Sequence, residues 1–191
     1  MNSPYRLAFI GGGMESIAGY PHFVASRMDN RFTVVAGAFS RNRDTNKTTA
    51  QQWGVSRYYD EWRDLITQEK ANIDAVVILV PTPLHIDVLL VALEHEIPVI
   101  CEKPLVASGD EMERLEAIFD PHRHFLVVTN NYSGYPMVRE LRQRIRQGEL
   151  GAIHNIRLEM PQESFLRPPK SVKYPQKWRL SDGEIPMISL N

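Results

Sequence analysis

The sequence has 191 residues, of which 43% are hydrophobic and 24% are charged, and its formal net charge is −1. These values are ordinary for a globular protein, and the net charge gives no general electrostatic reason to expect nucleic acid or an anionic membrane as a partner. A single cysteine, Cys101, excludes an internal disulfide and fits a reducing compartment. We see no secretion signal and no apolar run near the ~20 residues of a membrane helix, so we expect a soluble, cytoplasmic protein without a membrane partner.

Short apolar runs alternate with helical patterns over the first two thirds of the chain. The run at residues 75–80 is apolar at every position, which is typical of a strand covered on both faces. Strands that alternate with helices at this spacing form right-handed βαβ units, and they predict an α/β fold with a Rossmann-type, doubly wound parallel sheet. The predicted strands are residues 6–10, 33–39, 75–80, 98–101 and 125–129.

Helical patterns separate these strands. A helix is predicted over residues 22–28, and a clearer one over residues 83–96, where apolar side chains recur at helical spacing. A third helix is predicted from Ser108, whose spacing to Glu111 is that of a capping box, to about Phe119.

The pattern changes after residue 129, so we place a domain boundary near residues 128–132. A helix is predicted over residues 136–147, and residues 152–160 alternate apolar and polar side chains as a strand of an antiparallel sheet does. A long loop follows over residues 161–186. The predicted domains are therefore residues 1–129, the Rossmann domain, and residues 130–191, the incomplete start of an α+β substrate or oligomerisation domain.

The first turn of the predicted sheet is rich in glycine. Gly11 and Gly13 stand where a dinucleotide fingerprint belongs, between the first strand and the first helix. The third glycine of that fingerprint is replaced by Ser16, with Gly19 three residues on and Pro21 after it, which indicates a longer loop or a helix that begins near Pro21. The alternative is a glycine-rich turn that binds no ligand.

The end of the second strand bears on the choice of cofactor. NAD-specific proteins usually place a carboxylate here, but this chain has Ser40 and Arg41 and reaches no carboxylate before Asp44. A hydroxyl and a guanidinium suit a 2′-phosphate, so NADP is favoured over NAD. The alternative is that the arginines of this stretch form a solvated loop.

Two further stretches follow strands at the edge where ligands of doubly wound sheets bind. Pro81 and Thr82 lie after the third long strand, and His85 lies about one turn into the next helix. Taken by itself, His85 fits a surface or supporting residue better than a ligand or an acid, and its position at the crevice is what makes it a candidate.

The most informative stretch is Glu102-Lys103-Pro104, directly after a buried strand. A lysine there is costly unless it has a function or pairs with Glu102. An ammonium at this edge can orient a substrate hydroxyl or polarise a carbonyl during hydride transfer. The alternative is an exposed lysine in a salt bridge at the end of a strand.

Other charged patterns favour no site. The four arginines between residues 139 and 146 are interleaved with glutamates and indicate a solvated helix face, not a nucleic-acid surface. His122 and His124 lack the further ligands that a metal site needs, so we predict no metal.

In these motifs the chain resembles the Gfo/Idh/MocA family of NAD(P)-dependent oxidoreductases, over residues 7–158. The resemblance includes the glycine turn, the Pro81-Thr82-x-x-His85 stretch, Glu102-Lys103-Pro104, and Asn131-Tyr132-x-x-x-Pro136 leading into residues 148–151. It implies hydride transfer to or from a sugar, inositol or similar polyol, with Lys103 as the catalytic lysine. It also implies a dinucleotide-binding set that comprises Gly11, Gly13, Ser16, Ser40, Arg41, Pro81, Thr82, His85 and Glu102.

The resemblance has departures. Val80 stands where the family often has threonine, Thr82 where it has asparagine, and Ser133 near a common arginine. The family's Asp-x-x-x-His element would begin near residues 188–191, and the resemblance implies homo-oligomers for a full-length form. The alternatives are a dinucleotide-binding fragment without catalysis, and a short homologue with a regulatory or interaction role that exposes the edge of its predicted strand at residues 152–160.

Overall fold

The computed structural model describes residues 3–159, and six strands form one sheet in the order β3-β2-β1-β4-β5-β6. The strands are β1 (Tyr5–Gly11), β2 (Phe32–Ala38), β3 (Arg57–Tyr58), β4 (Ala75–Leu79), β5 (Val99–Glu102) and β6 (Leu126–Thr129). The helices are α1 (Gly19–Arg27), α2 (Arg43–Trp53), α3 (Trp62–Glu69), α4 (His85–Glu94), α5 (Gly109–Glu116) and α6 (Pro136–Arg146).

Every pairing in this sheet is parallel, so the predicted doubly wound α/β fold is confirmed. The strand order reverses at β1, which pairs with β2 on one side and with β4 on the other. Such a reversal opens a crevice at the carboxyl ends of the strands, where ligands of this fold class bind. The residues that follow β1, β2, β4 and β5 therefore lie at the edge of the sheet where a ligand of this fold class binds.

The core lies on both faces of the sheet. Alternate residues of β1 separate into two buried clusters, with Ala8 and Ile10 in one and Leu7 and Phe9 in the other. A strand whose successive side chains are all buried must be covered on both faces, because successive side chains point to opposite faces. This explains the uninterrupted apolar runs of the sequence.

Strand β3 has only two residues, too few to produce a periodic pattern, and sequence analysis does not find it. A buried carboxylate holds it in place: Oε1 of Glu69 accepts hydrogen bonds from Nε of Arg57 and from the hydroxyl of Tyr59, each at 2.7 Å. Glu69 is 1% exposed, and both donors serve Oε1, whereas Oε2 is buried without a hydrogen-bond partner in the described part of the chain.

The contacts divide the chain into two compact units. Within the described residues the first includes the sheet and reaches Thr129, and the second begins at Asn130. Helix α6 belongs to the second unit and presents exposed apolar side chains, including Met137 and Leu141. That the second unit belongs to a substrate domain stays a prediction.

The predicted strand over residues 152–160 is wrong for its described part, because residues 152–159 form no strand. A strand is defined by its hydrogen-bond ladder with a partner, and alternation of side chains does not supply one. In the described range, nothing pairs with this segment. The predicted loop over residues 161–186 lies outside the described residues.

Between residues 3 and 159, none of the helices is long and apolar enough to cross a membrane.

Candidate functional site

The glycine turn leaves β1 with a backbone that only glycine adopts easily. Gly11 and Gly12 have φ values of +78° and +72°. The N–H of Gly13 donates to the carbonyl of Phe39 at 3.0 Å, and the N–H of Ser16 donates to the carbonyl of Gly13 at 2.7 Å. The turn is therefore fixed by its own main chain and tied to the end of β2.

Gly19 begins α1 and makes the closest approach in the turn. A Cβ atom at Gly19 would lie 1.8 Å from the carbonyl oxygen of Gly12, a distance that no side chain can occupy. Close packing of the helix on the turn is the task of the third fingerprint glycine. Gly19 performs it three residues later than the standard spacing, and Ser16 lies in the longer loop between.

Helix α2 braces the same turn with buried polar side chains that sequence analysis missed. Oδ1 of Asn46 accepts the N–H of Phe39 at 2.9 Å, and Oγ1 of Thr49 accepts the N–H of Met14 at 3.2 Å. Both side chains are fully buried. The detectable signal was two uncharged polar residues one turn apart on the inner face of a helix.

The end of β2 leads into the capped start of α2. Oγ of Ser40 accepts the N–H of Asn42 at 3.1 Å, and the side chain of Asn42 caps α2 by accepting the N–H of Thr45 at 3.0 Å. Arg43 pairs with Asp60 at 3.1 Å. Arg41 is exposed, and within residues 3–159 no carboxylate pairs with it.

After β4 the chain forms a 3-10 helix, Thr82–Leu84, that leads directly into α4. Thr82 is 4% exposed and His85 is 1% exposed, so neither side chain is open to solvent. Nε2 of His85 lies 2.9 Å from the carbonyl oxygen of Val80, and Nδ1 lies 3.0 Å from that of Pro104. His85 thus joins the segment after β4 to the segment after β5.

The protonation of His85 follows from its burial. Two carbonyl acceptors would suit an imidazolium, since a neutral ring carries only one N–H. Burial, however, lowers the pKa of His85, and the hydrogen bonds to Val80 and Pro104 oppose it only in part. We assign the neutral ring, because charging a ring with 1% exposure removes a cation from water. A neutral ring donates through one nitrogen only, so it hydrogen-bonds one of the two carbonyls, and the thiol of Cys101 lies 3.5 Å from Nδ1.

Glu102 is the last residue of β5, and its carboxylate contacts three hydrogen-bond donors. Its Oε1 lies 2.8 Å from Nε2 of His22 on α1 and accepts the hydroxyl of Thr129, at the end of β6, at 2.7 Å. Its Oε2 accepts the main-chain N–H of Lys103 at 3.2 Å. The Lys103–Pro104 peptide bond is cis, and Lys103 is exposed.

The electrostatics favour the ionised form of Glu102. Burial alone would raise the pKa of the Glu102 carboxyl, but the hydrogen bonds from His22 and Thr129 outweigh it and leave the pKa below its ordinary value. Burial, with a smaller contribution from the charge of Glu102, raises the pKa of Cys101 to about 12, so its thiol stays protonated. The site therefore holds one fixed negative charge beside Lys103.

The predicted site residues all follow the carboxyl ends of strands in one parallel sheet. The glycine turn follows β1, Ser40 and Arg41 follow β2, Pro81 and Thr82 follow β4, and Lys103 follows β5. Sequence analysis missed Gly19, His22 and Thr129. Gly19 was visible as a glycine at unusual spacing, whereas nothing in the sequence connects His22 or Thr129 to Glu102. In the described range, no group of three His, Cys, Asp or Glu side chains could hold a metal ion.

The glycine turn has the shape that a dinucleotide requires at this edge of the sheet. The turn has no Cβ at Gly11, Gly12 and Gly13, and Gly19 brings the start of α1 against it. A glycine backbone at the start of a helix is the arrangement that accepts a pyrophosphate. The residues present therefore fit such a cofactor.

Comparison with known proteins agrees with this geometry. Residues 5–130 match the oxidoreductase family with an NAD-binding Rossmann fold, GFO_IDH_MocA. The chain is 31% identical over 188 residues to an uncharacterized oxidoreductase, YfiI, of Bacillus subtilis, covering 94% of this chain and 48% of that protein. It is 29% identical to a D-xylose 1-dehydrogenase [NADP(+)] of Haloarcula marismortui, covering 66% of this chain and 33% of that protein.

A solved structure shares the fold at moderate identity. An inositol dehydrogenase homolog from Azotobacter vinelandii, complexed with NADH and myo-inositol, matches with a TM-score of 0.74 and 35% identity, covering 79% of this chain and 41% of that one. The chain spans about half the length of the relatives that it matches, or less. On its sequence match and its fold, the chain belongs to the GFO_IDH_MocA family of oxidoreductases.

Proposed function

We propose that this chain binds NADP, in preference to NAD, and supplies the lysine of a dehydrogenase that acts on a sugar, an inositol or a similar polyol. One observation carries the proposal. The glycine turn, against which Gly19 packs, lies at the same edge of the sheet as Glu102 and Lys103. Ligands of doubly wound sheets bind at this edge.

Different groups of the proposed binding residues would contact different parts of the cofactor. Gly11, Gly13 and Ser16 lie where the pyrophosphate would bind. Ser40 and Arg41 would hold the ribose 2′-phosphate, for which a guanidinium is well suited. Pro81, Thr82 and Glu102 border the ribose and the nicotinamide, and His85, which is buried, acts there through the main chain that it holds.

Lys103 interacts with the substrate oxygen at the reacting carbon. When bound, the dinucleotide supplies the hydride chemistry, and the protein contributes orientation and charge. The ammonium of Lys103 donates a hydrogen bond to the oxygen on which negative charge develops as the carbon is reduced. The carboxylate of Glu102 fixes the main chain of that lysine through its N–H.

The substrate class rests on relatives that act on carbinol carbons. One is named as a D-xylose dehydrogenase, and the similar solved structure holds myo-inositol with NADH. The cofactors of these relatives differ, so the preference for NADP rests on Ser40 and Arg41 alone. We further propose a homo-oligomer for the full-length protein and a cytoplasmic location.

The cofactor is tested by titrating the chain with NADPH and NADH while nicotinamide fluorescence is followed. We expect tighter binding of NADPH. Arg41→Ala should weaken NADPH binding about 10-fold or more, the effect of one charge-assisted contact, and leave NADH binding unchanged. Arg43→Ala is the matched control, because Arg43 is held by Asp60. Tighter binding of NADH would overturn the preference, and binding of neither would overturn the cofactor.

The lysine is tested with Lys103→Met, which keeps the length of the side chain and removes its charge. We expect NADPH binding within about threefold of wild type, and loss of NADP reduction in the presence of myo-inositol or D-xylose, because the charge acts only on the reacting oxygen. The measurement is absorbance of the reduced nicotinamide. Wild-type binding without turnover of any polyol would instead favour a binding module.

A further inference from the structure

His22 makes a contact that neither the glycine turn nor the lysine explains. It lies on α1, three residues after Gly19, and its Nε2 is 2.8 Å from Oε1 of Glu102, 80 residues later in the chain. The side chains of His22 and Glu102 are 20% and 23% exposed, so the contact is shielded from solvent. Thr129 donates to the same oxygen.

The carboxylate of Glu102 determines which group is the donor and which is the acceptor in these hydrogen bonds. An ionised carboxylate only accepts, so Nε2 of His22 and Oγ1 of Thr129 must each carry the hydrogen. Oε1 is then occupied by two donors, and Oε2 accepts the N–H of Lys103. With both oxygens engaged, Glu102 is held at both ends of its carboxylate.

We propose that His22 is a positioning residue, which fixes Glu102, and through it the main chain of Lys103, relative to the helix that closes the glycine turn. The inference rests on the proposed function and adds to it a link between the cofactor turn and the lysine.

The placement of His22 supports this role. Helix α1 starts at the glycine that packs against the carbonyl of Gly12, so α1 cannot shift without moving the turn. A rigid helix that carries His22 therefore sets the position of Glu102 from the cofactor side. Thr129, at the end of β6, sets it from the other side of β5.

Other titratable groups surround the carboxylate. From its own strand, Glu102 faces Cys101, whose thiol stays protonated, and from α4 it faces the buried ring of His85. His22 faces it from α1, and Lys103 follows it in the chain. His22 makes a direct side-chain bond to the carboxylate.

The experiment compares His22→Ala with His22→Gln, whose amide nitrogen can replace Nε2. The first readout is the amide NMR signal of Lys103 between pH 7 and pH 3, since this N–H is bonded to Glu102. In wild type we expect the signal to follow a protonation below the ordinary value of 4.5. The midpoint should rise by about one pH unit in His22→Ala, because a hydrogen bond to the charged form is lost, and stay near wild type in His22→Gln.

The second readout is the dissociation constant for NADPH. We expect His22→Ala to raise it about tenfold and His22→Gln to change it less than about threefold. If His22→Ala does not fold, Thr129→Val removes the other donor to the same oxygen and should act in the same direction, with Thr129→Ser as its control.

The two readouts separate the inference from the proposed function. If wild type binds neither dinucleotide, the proposed function fails, while the Lys103 signal still decides whether His22 positions Glu102. An unchanged midpoint in His22→Ala overturns the inference. It is also overturned if His22→Gln behaves like His22→Ala, or if the midpoint moves and NADPH affinity does not.

Discussion

His85 is a buried imidazole that lies between the carbonyls of Val80 and Pro104 and, when neutral, donates a hydrogen bond to one of them. We expect His85→Ala to lower the free energy of unfolding by about 2–4 kcal/mol, since it leaves a cavity and one buried carbonyl without its imidazole donor. The measurement is urea unfolding followed by circular dichroism. NADPH binding should weaken in parallel, because the segments after β4 and β5 are no longer joined.

The control for His85→Ala is Asp87→Ala on the exposed side of the same helix. Asp87 pairs with Arg114 at 4.0 Å with both side chains about half exposed, so its loss should change stability by less than about 0.5 kcal/mol. Equal effects of the two substitutions would contradict the bridging role of the imidazole.

At the scale of elements, the junction of the glycine turn with α1 depends on the absence of one side chain. Gly19→Ala would place Cβ against the carbonyl of Gly12, and the atoms that it would meet are backbone, which cannot give way cheaply. We expect a loss of about 2–3 kcal/mol in the free energy of unfolding and at least about tenfold weaker NADPH binding, because helix and turn must separate. Urea unfolding and nicotinamide fluorescence measure the two effects.

Gly109→Ala provides the comparison. Gly109 is the first residue of α5, and a Cβ there would meet no atom within 4 Å. Alanine favours a helix over glycine, so stability should be unchanged or rise by up to about 1 kcal/mol. A Gly19→Ala protein as stable as Gly109→Ala would show that the close approach at Gly19 is not needed.

The elements also show what the sequence could predict. Strand ends were readable because the apolar runs of β1, β2, β4 and β5 are soon followed by glycine, hydroxyl, proline or charged residues. Thus Gly11, Ser40 and Lys103 could be placed at one edge. His22 could not, because its role depends on a contact between α1 and the end of β5 that only the folded chain brings about. The strand predicted over residues 152–160 was wrong for a related reason. Alternation of apolar and polar side chains shows which side chains would share a face, but a strand also needs a partner for its backbone hydrogen bonds.

At the scale of the whole molecule, several groups favour the folded state only above acidic pH. The hydrogen bond from Arg6 holds the pKa of Asp74 below its ordinary value, and that from Arg123 does the same for Glu96. The pKa of Glu102 is also lowered, and burial lowers that of His85. For each group the unfolded chain binds the proton more readily, so stability falls as pH falls.

We therefore expect the urea midpoint to decline first below about pH 6.5, where unfolded histidine titrates, and further below about pH 5 as the carboxylates protonate. Circular dichroism at pH values from 7.5 to 4 measures this decline. Asp74→Asn should be less stable at pH 7, because Arg6 bonds both oxygens of Asp74 and ties the start of β1 to the chain before β4. The same variant should show a shallower loss below pH 5, since one of the linked carboxylates is gone. A midpoint that stays constant or rises on acidification would contradict the lowered pKa values.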